Sequence, residues 1–256
     1  SCAYDVVLTC LYHIWKNDSI TWTVNFNSVN SNVLTAINAY FNYVQPNGSS
    51  FNIVRDHFIG YMCSIDPRYF QYGRLTNIDM LLFYIGRTTH SILNVKTKCM
   101  NFHTVHAPTE IHNIFVSIHD IIHDRNNNNS LQNLMNSLVS PSHNICQICH
   151  TNGFISYSVK TIQPLLIFDI SMYTIDINQT LFIIGNNTIN VYRLRSIIYF
   201  KDLHFTCVLI DTQGNFWFYD GLHIGRQARN IGNIQDGIHT NDLRGQKAIK
   251  VFYTKI

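Results

Sequence analysis

The sequence predicts an α+β fold, and three observations carry that expectation. Residues 1–90 place apolar side chains at helical spacing. From residue 154 onward, short alternating runs bounded by turn residues dominate. Between them lies a stretch of mixed texture. The 256 residues, 46% hydrophobic and 13% charged, are enough for one sizeable core and too apolar for a disordered chain. Twelve Gly and seven Cys exclude a collagen-like chain or a small disulfide scaffold. No run reaches the roughly 18 apolar residues of a membrane-spanning helix. A net charge of +3, scattered along the chain, makes no nucleic-acid track; Arg193, Arg195, Lys201, Arg226 and Arg229 read as a solvated face.

In chain order, Val7, Leu8, Leu11, Ile14 and Trp15 share one helical face over residues 5–15. Helices also follow over 33–43 and 78–85, the latter capped by Thr76 or Asn77. Residues 92–98 and 111–118 alternate as strands, and 130–139 read as a short helix. Strands are then expected over 155–160, 165–170, 180–184, 188–194, 197–200, 204–211 and 215–220, and a last one over 247–253. Asp-Thr-Gln-Gly at 211–214 is a hairpin turn, and the Asn tract 126–129 an exposed loop tip. Beginning at Ser1 without a charged n-region or cleavage site, the chain reads as an excised domain without a secretory signal. Seven widely spread cysteines point to a reducing intracellular setting, cytoplasmic or nuclear.

Cys2 stands just before the first predicted helix. Backbone N–H groups and the positive end of a helix dipole favour negative charge on a sulfur placed there. A thiol nucleophile needs a base, and the base an orienting acceptor. His204 opens one predicted strand and Asp220 ends the next, so a hairpin brings both to its open end. Read singly, a cysteine is more often a small hydrophobe and a strand histidine structural; the order Cys, His, Asp in suitable elements favours chemistry.

Four segments resemble the ubiquitin-specific protease family of papain-like cysteine peptidases. Ser-Cys-Ala-Tyr-Asp-Val-Val-Leu at 1–8 is similar to the nucleophile box. Cys-Gln-Ile-Cys at 146–149, with 156–160 and Ile-Gln-Pro-Leu-Leu-Ile-Phe at 162–168, resembles a zinc knuckle and the strand after it. Residues 192–199 with Leu-His-Phe-Thr-Cys-Val-Leu-Ile at 203–210 resemble the histidine box, and Trp-Phe-Tyr-Asp-Gly at 217–221 the aspartate stretch. Residues 248–253 resemble the closing strand. Ser-Cys-Ala-Tyr-Asp sequences also resemble protease-like domains encoded with fungal transposable elements.

The resemblance implies one catalytic domain over 1–256, with a helical thumb (about 1–90), a β fingers insertion (about 92–160) and a palm of strands (about 161–256). It implies Cys2 as nucleophile, His204 as general base, Asp220 as its orienter, and an oxyanion-holding Asn upstream of Ser1. Two departures stand out. Leu203-His204-Phe205 replaces the family's Gly-His-Tyr, making the approach to the imidazole bulkier, and only Asn77-Ile-Asp79 answers the family's Gln-Asp-Ala-x-Glu helix.

A second constellation is metal-like. Cys146-x-x-Cys149 is one knuckle of a zinc ribbon, and Cys99 with His103, upstream in the same insertion, completes a Cys₃His set. His106, His143 and His150 compete as ligands. The expected cofactor is a single structural zinc, against a family tendency to keep the fingers without it; no catalytic cofactor is expected. His112, His119 and His123 fit one helix face rather than a metal site. Cys10, Cys207, Trp15, Trp22 and Trp217 read as core.

The function expected is removal of ubiquitin, or a ubiquitin-like modifier, through a thioester intermediate, with no membrane or specific nucleic-acid partner. A papain-like peptidase of unmodified proteins is the enzyme alternative. A catalytically dead ubiquitin-binding module is the other, favoured if Leu203 closes the groove.

Overall fold

The computed structural model describes residues 2–47, 51–118, 130–136, 139–185, 187–221, 227–234 and 240–256. Five helices come first: α1 (Cys2–Asn17), α2 (Ser19–Ser28), α3 (Asn32–Asn47), α4 (Phe51–Ile65) and α5 (Ile78–Gly86). The predicted apolar face of α1 is buried as a stripe from Tyr4 to Trp15. Each large side chain on it contributes about 1.5–3 kcal/mol. Trp15 and Phe41 lie 5.7 Å apart, and Tyr12 bridges them to Phe51 on α4.

Two helices were not foreseen. In α2 only Trp22 and Phe26 are buried, so periodicity is faint; Asp18 starts it by accepting a hydrogen bond from the Thr21 amide at 3.1 Å. In α4, Val54, Phe58 and Met62 recur every fourth residue and are buried, a signal the sequence does carry. The Asn77 cap of α5 is as expected, its side chain accepting from the amides of Asp79 and Met80.

Thirteen strands follow among the described residues. β1 (Leu93–Cys99), β2 (Thr104–Ile111), β4 (Val139–Ile145) and β5 (Asn152–Val159) form an antiparallel sheet in the order β2-β1-β5-β4. Both edge strands contain proline, Pro108 and Pro141, which a sheet accepts only where no ladder hydrogen bond is lost. That is why periodicity alone passed over β4 and most of β2. The expected strand 111–118 is divided at 112–114, with β3 (Phe115–Ser117) leaving for the other sheet.

That larger sheet has nine strands. Its path runs β11 (Arg229–Asn233), β10 (Asn215–Tyr219), β9 (His204–Ile210), β8 (Thr188–Lys201), β13 (Gln246–Lys255), β6 (Leu165–Asp169) and β3. β7 (Thr180–Gly185) and β12 (Asp242–Leu243) pair on β8 and β13. The two predicted strands 188–194 and 197–200 are one 14-residue strand, β8. A sixth helix, α6 (Leu131–Asn136), packs near β7. Arg195 is not part of a solvated face: its guanidinium donates to Thr254 Oγ1 and the Asp211 carbonyl. The Asn tract 126–129, His119, His123 and Arg226 lie outside the described residues. His112 sits between strands rather than on a helix and pairs with Glu110 at 3.4 Å.

Lys250, in the middle of β13, is 1% exposed. Its ammonium pairs with Asp79 of α5 at 2.5 Å and Asp169 of β6 at 2.6 Å, and lies over the Phe115 ring. One buried cation thereby ties the helical region to the sheet. Burial pushes the Asp169 carboxyl up, but the Lys250 ammonium and the Ser171 amide outweigh it and hold it below its ordinary value. A carboxyl lowered on folding stabilises the protein above its unfolded value near 3.9, and that contribution is lost as pH falls through the folded one. Lys250→Ala leaves the largely buried Asp169 carboxylate unpaired, Asp79 being half exposed, and is expected to cost about 3 kcal/mol in urea denaturation. The companion variant Lys250→Ala/Asp169→Asn should recover part of that loss and lose stability less steeply between pH 5 and 3.

Candidate active site and metal centre

α1 begins at Cys2, whose half-exposed thiol lies 3.9 Å from the Leu203 carbonyl oxygen. That carbonyl belongs to a tight turn. β8 and β9 pair out to Lys201 and His204, leaving only Asp202 and Leu203 to reverse the chain. Their φ angles are 51° and 61°. Two successive positive values mark a type I′ turn, where Asn-Gly is the usual choice. A leucine in that conformation costs about 1–2 kcal/mol. Its side chain stands 75% exposed, so Leu203 rims the cleft rather than plugging it.

His204 is the first residue of β9, and Asp220 follows the last of β10. Tyr219 pairs with Cys207, so Asp220 continues the register opposite Thr206. His204 lies two residues before Thr206, on the same face, within diagonal reach of a long side chain. The result is a 2.9 Å contact between His204 Nε2 and Asp220 Oδ1, with Asp220 buried.

Cys2 and His204 open onto one cavity of about 340 Å³, walled by Asp5, Tyr219 and Gly221. A second cavity of about 420 Å³ shares Cys2 and Phe205 with it. Asn77, Asp79, Leu203 and Lys250 line that one, and His204 does not. The thiol therefore sits where two cavities meet. Sequence reasoning missed the Lys250 bridge beneath the second cavity; the signal was a lysine inside the otherwise apolar run Ala-Ile-Lys-Val-Phe-Tyr at 248–253.

The metal-like residues also come together. The ligand atoms of Cys99, His103, Cys146 and Cys149 all lie within 4.8 Å of one another. Each pair comes from a turn closed by backbone hydrogen bonds. Phe102 N–H donates to the Cys99 carbonyl at 2.8 Å, and His150 N–H to the Cys146 carbonyl at 2.8 Å. Phe102 and His150 each hold a positive φ, so His150 serves as a turn residue and is exposed outside the cluster. The side chains of His106 and His143 lie outside the described residues.

The set fits zinc. Bonds of about 2.3 Å to sulfur and 2.0–2.1 Å to nitrogen in a tetrahedron put ligand atoms about 3.5–3.8 Å apart. Cys149 Sγ to Cys99 Sγ is 3.5 Å, and Cys146 Sγ to His103 Nδ1 is 3.8 Å. The Thr151 hydroxyl, 3.1 Å from Cys149 Sγ, and the Thr151 amide bring the Cys149 thiol down to about 5. At Cys146 the Cys149 amide favours the thiolate, but burial and the neighbouring sulfurs outweigh it and raise the thiol above its ordinary value. Bound there, the ion would staple the two turns together at one end of the four-stranded sheet.

The remaining cysteines and indoles are mostly structural. Cys10 and Cys207 are buried, and burial with the neighbouring Cys10 pushes the Cys207 thiol well up. Trp15 and Trp22 are core; Trp217 is half-buried, its Nε1–H donating to Asp211 Oδ2 at 3.0 Å.

No protein-family model matches this sequence, and no curated protein matches it at sequence level. Solved structures do match it in three dimensions. The Ubp8/Sgf11/Sus1/Sgf73 deubiquitinating module of SAGA bound to monoubiquitin superposes with a TM-score of 0.60 at 11% identity, covering 100% of this chain and 67% of that one. The chain shares that fold. The same module bound to ubiquitin aldehyde gives 0.52 at 11% identity, and a yeast SAGA module gives 0.57 at 12%. This chain spans about two thirds of the length of these neighbours.

With the ligand set as described, purified protein should contain about one zinc per chain by elemental analysis. Cys149→Ala should lose the metal and lower the Tm by several degrees, while iodoacetamide still alkylates Cys2 at the wild-type rate. Metal-free protein of unchanged Tm would contradict this reading.

Proposed function

We propose that this chain is a thiol-dependent isopeptidase that releases ubiquitin, or a ubiquitin-like modifier, from proteins or from modifier chains. The observation that carries it is the 2.9 Å contact of buried Asp220 with His204, which shares a cavity with the Cys2 thiol at a helix head. Likeness to ubiquitin-bound deubiquitinating modules supports the choice of modifier. In this reading α1–α5 are the thumb, the nine-stranded sheet the palm, and the four-stranded sheet with its Cys₃His cluster the fingers. Cys99, His103, Cys146 and Cys149 would hold a zinc ion that would fix the shape gripping the modifier, apart from the chemistry at Cys2. Seven free thiols, four of them in these two sites, suit a reducing intracellular compartment.

The Asp220 carboxylate at Nε2 selects the tautomer with its proton on Nε2 and its lone pair on Nδ1. Nδ1 takes the Cys2 thiol proton, and the thiolate attacks the carbonyl carbon of the modifier's C-terminal glycine. The developing oxyanion is met by the Cys2 backbone N–H at the head of α1. His204 returns the proton to the lysine nitrogen as the C–N bond breaks. Water, deprotonated by His204, then hydrolyses the thioester. The open cavity beside the exposed Leu203 favours this over an inert binding module.

Hydrolysis of a fluorogenic ubiquitin C-terminal amide tests the proposal. Cys2→Ala should abolish turnover and leave the Tm unchanged. His204→Ala should lose at least about 10³-fold in kcat and Asp220→Ala less, because members of a triad are not additive. Near-normal turnover by His204→Ala would end the mechanism. Leu203→Gly relieves the turn and should raise stability by about 1 kcal/mol in urea titration.

A further inference from the structure

A third cavity, about 350 Å³, continues the cleft past the catalytic residues. It shares Asp5 and Tyr219 with the cavity that holds Cys2 and His204. Thr9, Tyr12 and Lys16 of α1 and Phe51 of α4 form one side, and Leu209 of β9 helps close the other. The resemblance assigns these residues nothing.

The chemistry orients the cleft. A departing amine must be protonated by His204, so it leaves through the cavity that His204 lines. The acyl part then lies in the cavity that Cys2 lines without His204. The third cavity adjoins the leaving-group side, where it shares Asp5 and Tyr219 with the cavity that His204 lines. One wall is aromatic and aliphatic, with Tyr12 and Phe51 packed at 5.3 Å beside Leu209, while Thr9, His13 and Asn52 add polar groups. Its charges are unequal. Asp5 is answered by Arg55 at 3.3 Å, whereas Lys16 stands exposed at the rim with its ammonium 5.9 Å from the Tyr12 ring centroid.

Resting on the isopeptidase reading, we propose that this cavity is a leaving-group subsite that selects the acceptor polypeptide. Its occupant is the segment flanking the modified lysine, with an apolar side chain seated against Tyr12, Phe51 and Leu209 and an acidic neighbour facing Lys16. Part of the specificity thus lies in the target and not in the modifier.

The test uses ubiquitin joined through its C-terminal glycine to the lysine of short peptides. One peptide has leucine and glutamate beside the lysine; the other has glycine and arginine. The wild type should cleave the first with a kcat/KM at least about tenfold higher, a difference of about 1.4 kcal/mol in transition-state binding. Thr9→Trp, which fills the cavity from a half-exposed position on α1, should erase the preference. Lys16→Glu should shift it toward the arginine peptide. Labelling by ubiquitin-propargylamide, which leaves this subsite empty, should stay within twofold in both variants. Equal kcat/KM for the two peptides, with labelling intact, would overturn the subsite alone. Loss of labelling in the folded Thr9→Trp variant would likewise overturn it, because the cavity would then belong to the chemical site. Wild type that reacts with neither peptide nor probe would overturn the isopeptidase reading and the subsite with it.

Discussion

Helix α1 lies along strand β9, and the geometry of the cleft depends on that one packing contact. At one end the Cys2 thiol meets the Leu203 carbonyl; at the other, His13 Nε2 lies 3.1 Å from the Ile210 carbonyl. Between them Val6 and Cys10, the latter beside Cys207, are sealed from water. Burial and the Ile210 hydrogen bond act oppositely on His13, and burial wins, pushing its imidazole below the ordinary value. It is therefore neutral at pH 7, and its N–H can donate to Ile210. A shift of this helix by one turn, about 5.4 Å, would separate thiol from imidazole entirely.

Around that contact, tight turns place the atoms of both candidate sites. The Asp202-Leu203 turn presents a carbonyl to the thiol and starts β9 at the histidine. The turns after Cys99 and Cys146 aim four ligand atoms inward, each with a non-glycine residue at positive φ. Such conformations cost of order 1–3 kcal/mol each and persist only where surrounding structure over-determines them. Here the strand ladders of both sheets supply that constraint. Lys250 adds the other tie, linking α5 to the sheet beneath the cavity lined by Cys2 and Leu203.

The legible parts of the sequence were those governed by local rules. The α1 face followed from its period, and the start of α5 from Asn77, because capping and amphipathicity act within one or two turns. The hairpin at 211–214 was legible for the same reason, Asp211 accepting from the amides of Gln213 and Asn215. β4 was not, because Pro141 is tolerated only through its place at a sheet edge. Nor was the division between β2 and β3, where the chain leaves one sheet for the other.

The sequence by itself determined the α+β class, the helix head at Cys2, the strands bearing His204 and Asp220, and the two ligand pairs. Each rests on residue type and spacing over fewer than about twenty positions. Only the tertiary structure decided that His204 and Asp220 meet at 2.9 Å, and that the ligand pairs converge although 47 residues separate Cys99 from Cys146. It also decided that Lys250 is buried between two carboxylates, and that three cavities run in series through the thiol and the histidine. These depend on which surfaces of distant elements are pressed together, and packing of that kind is a property of the whole chain that no local period encodes.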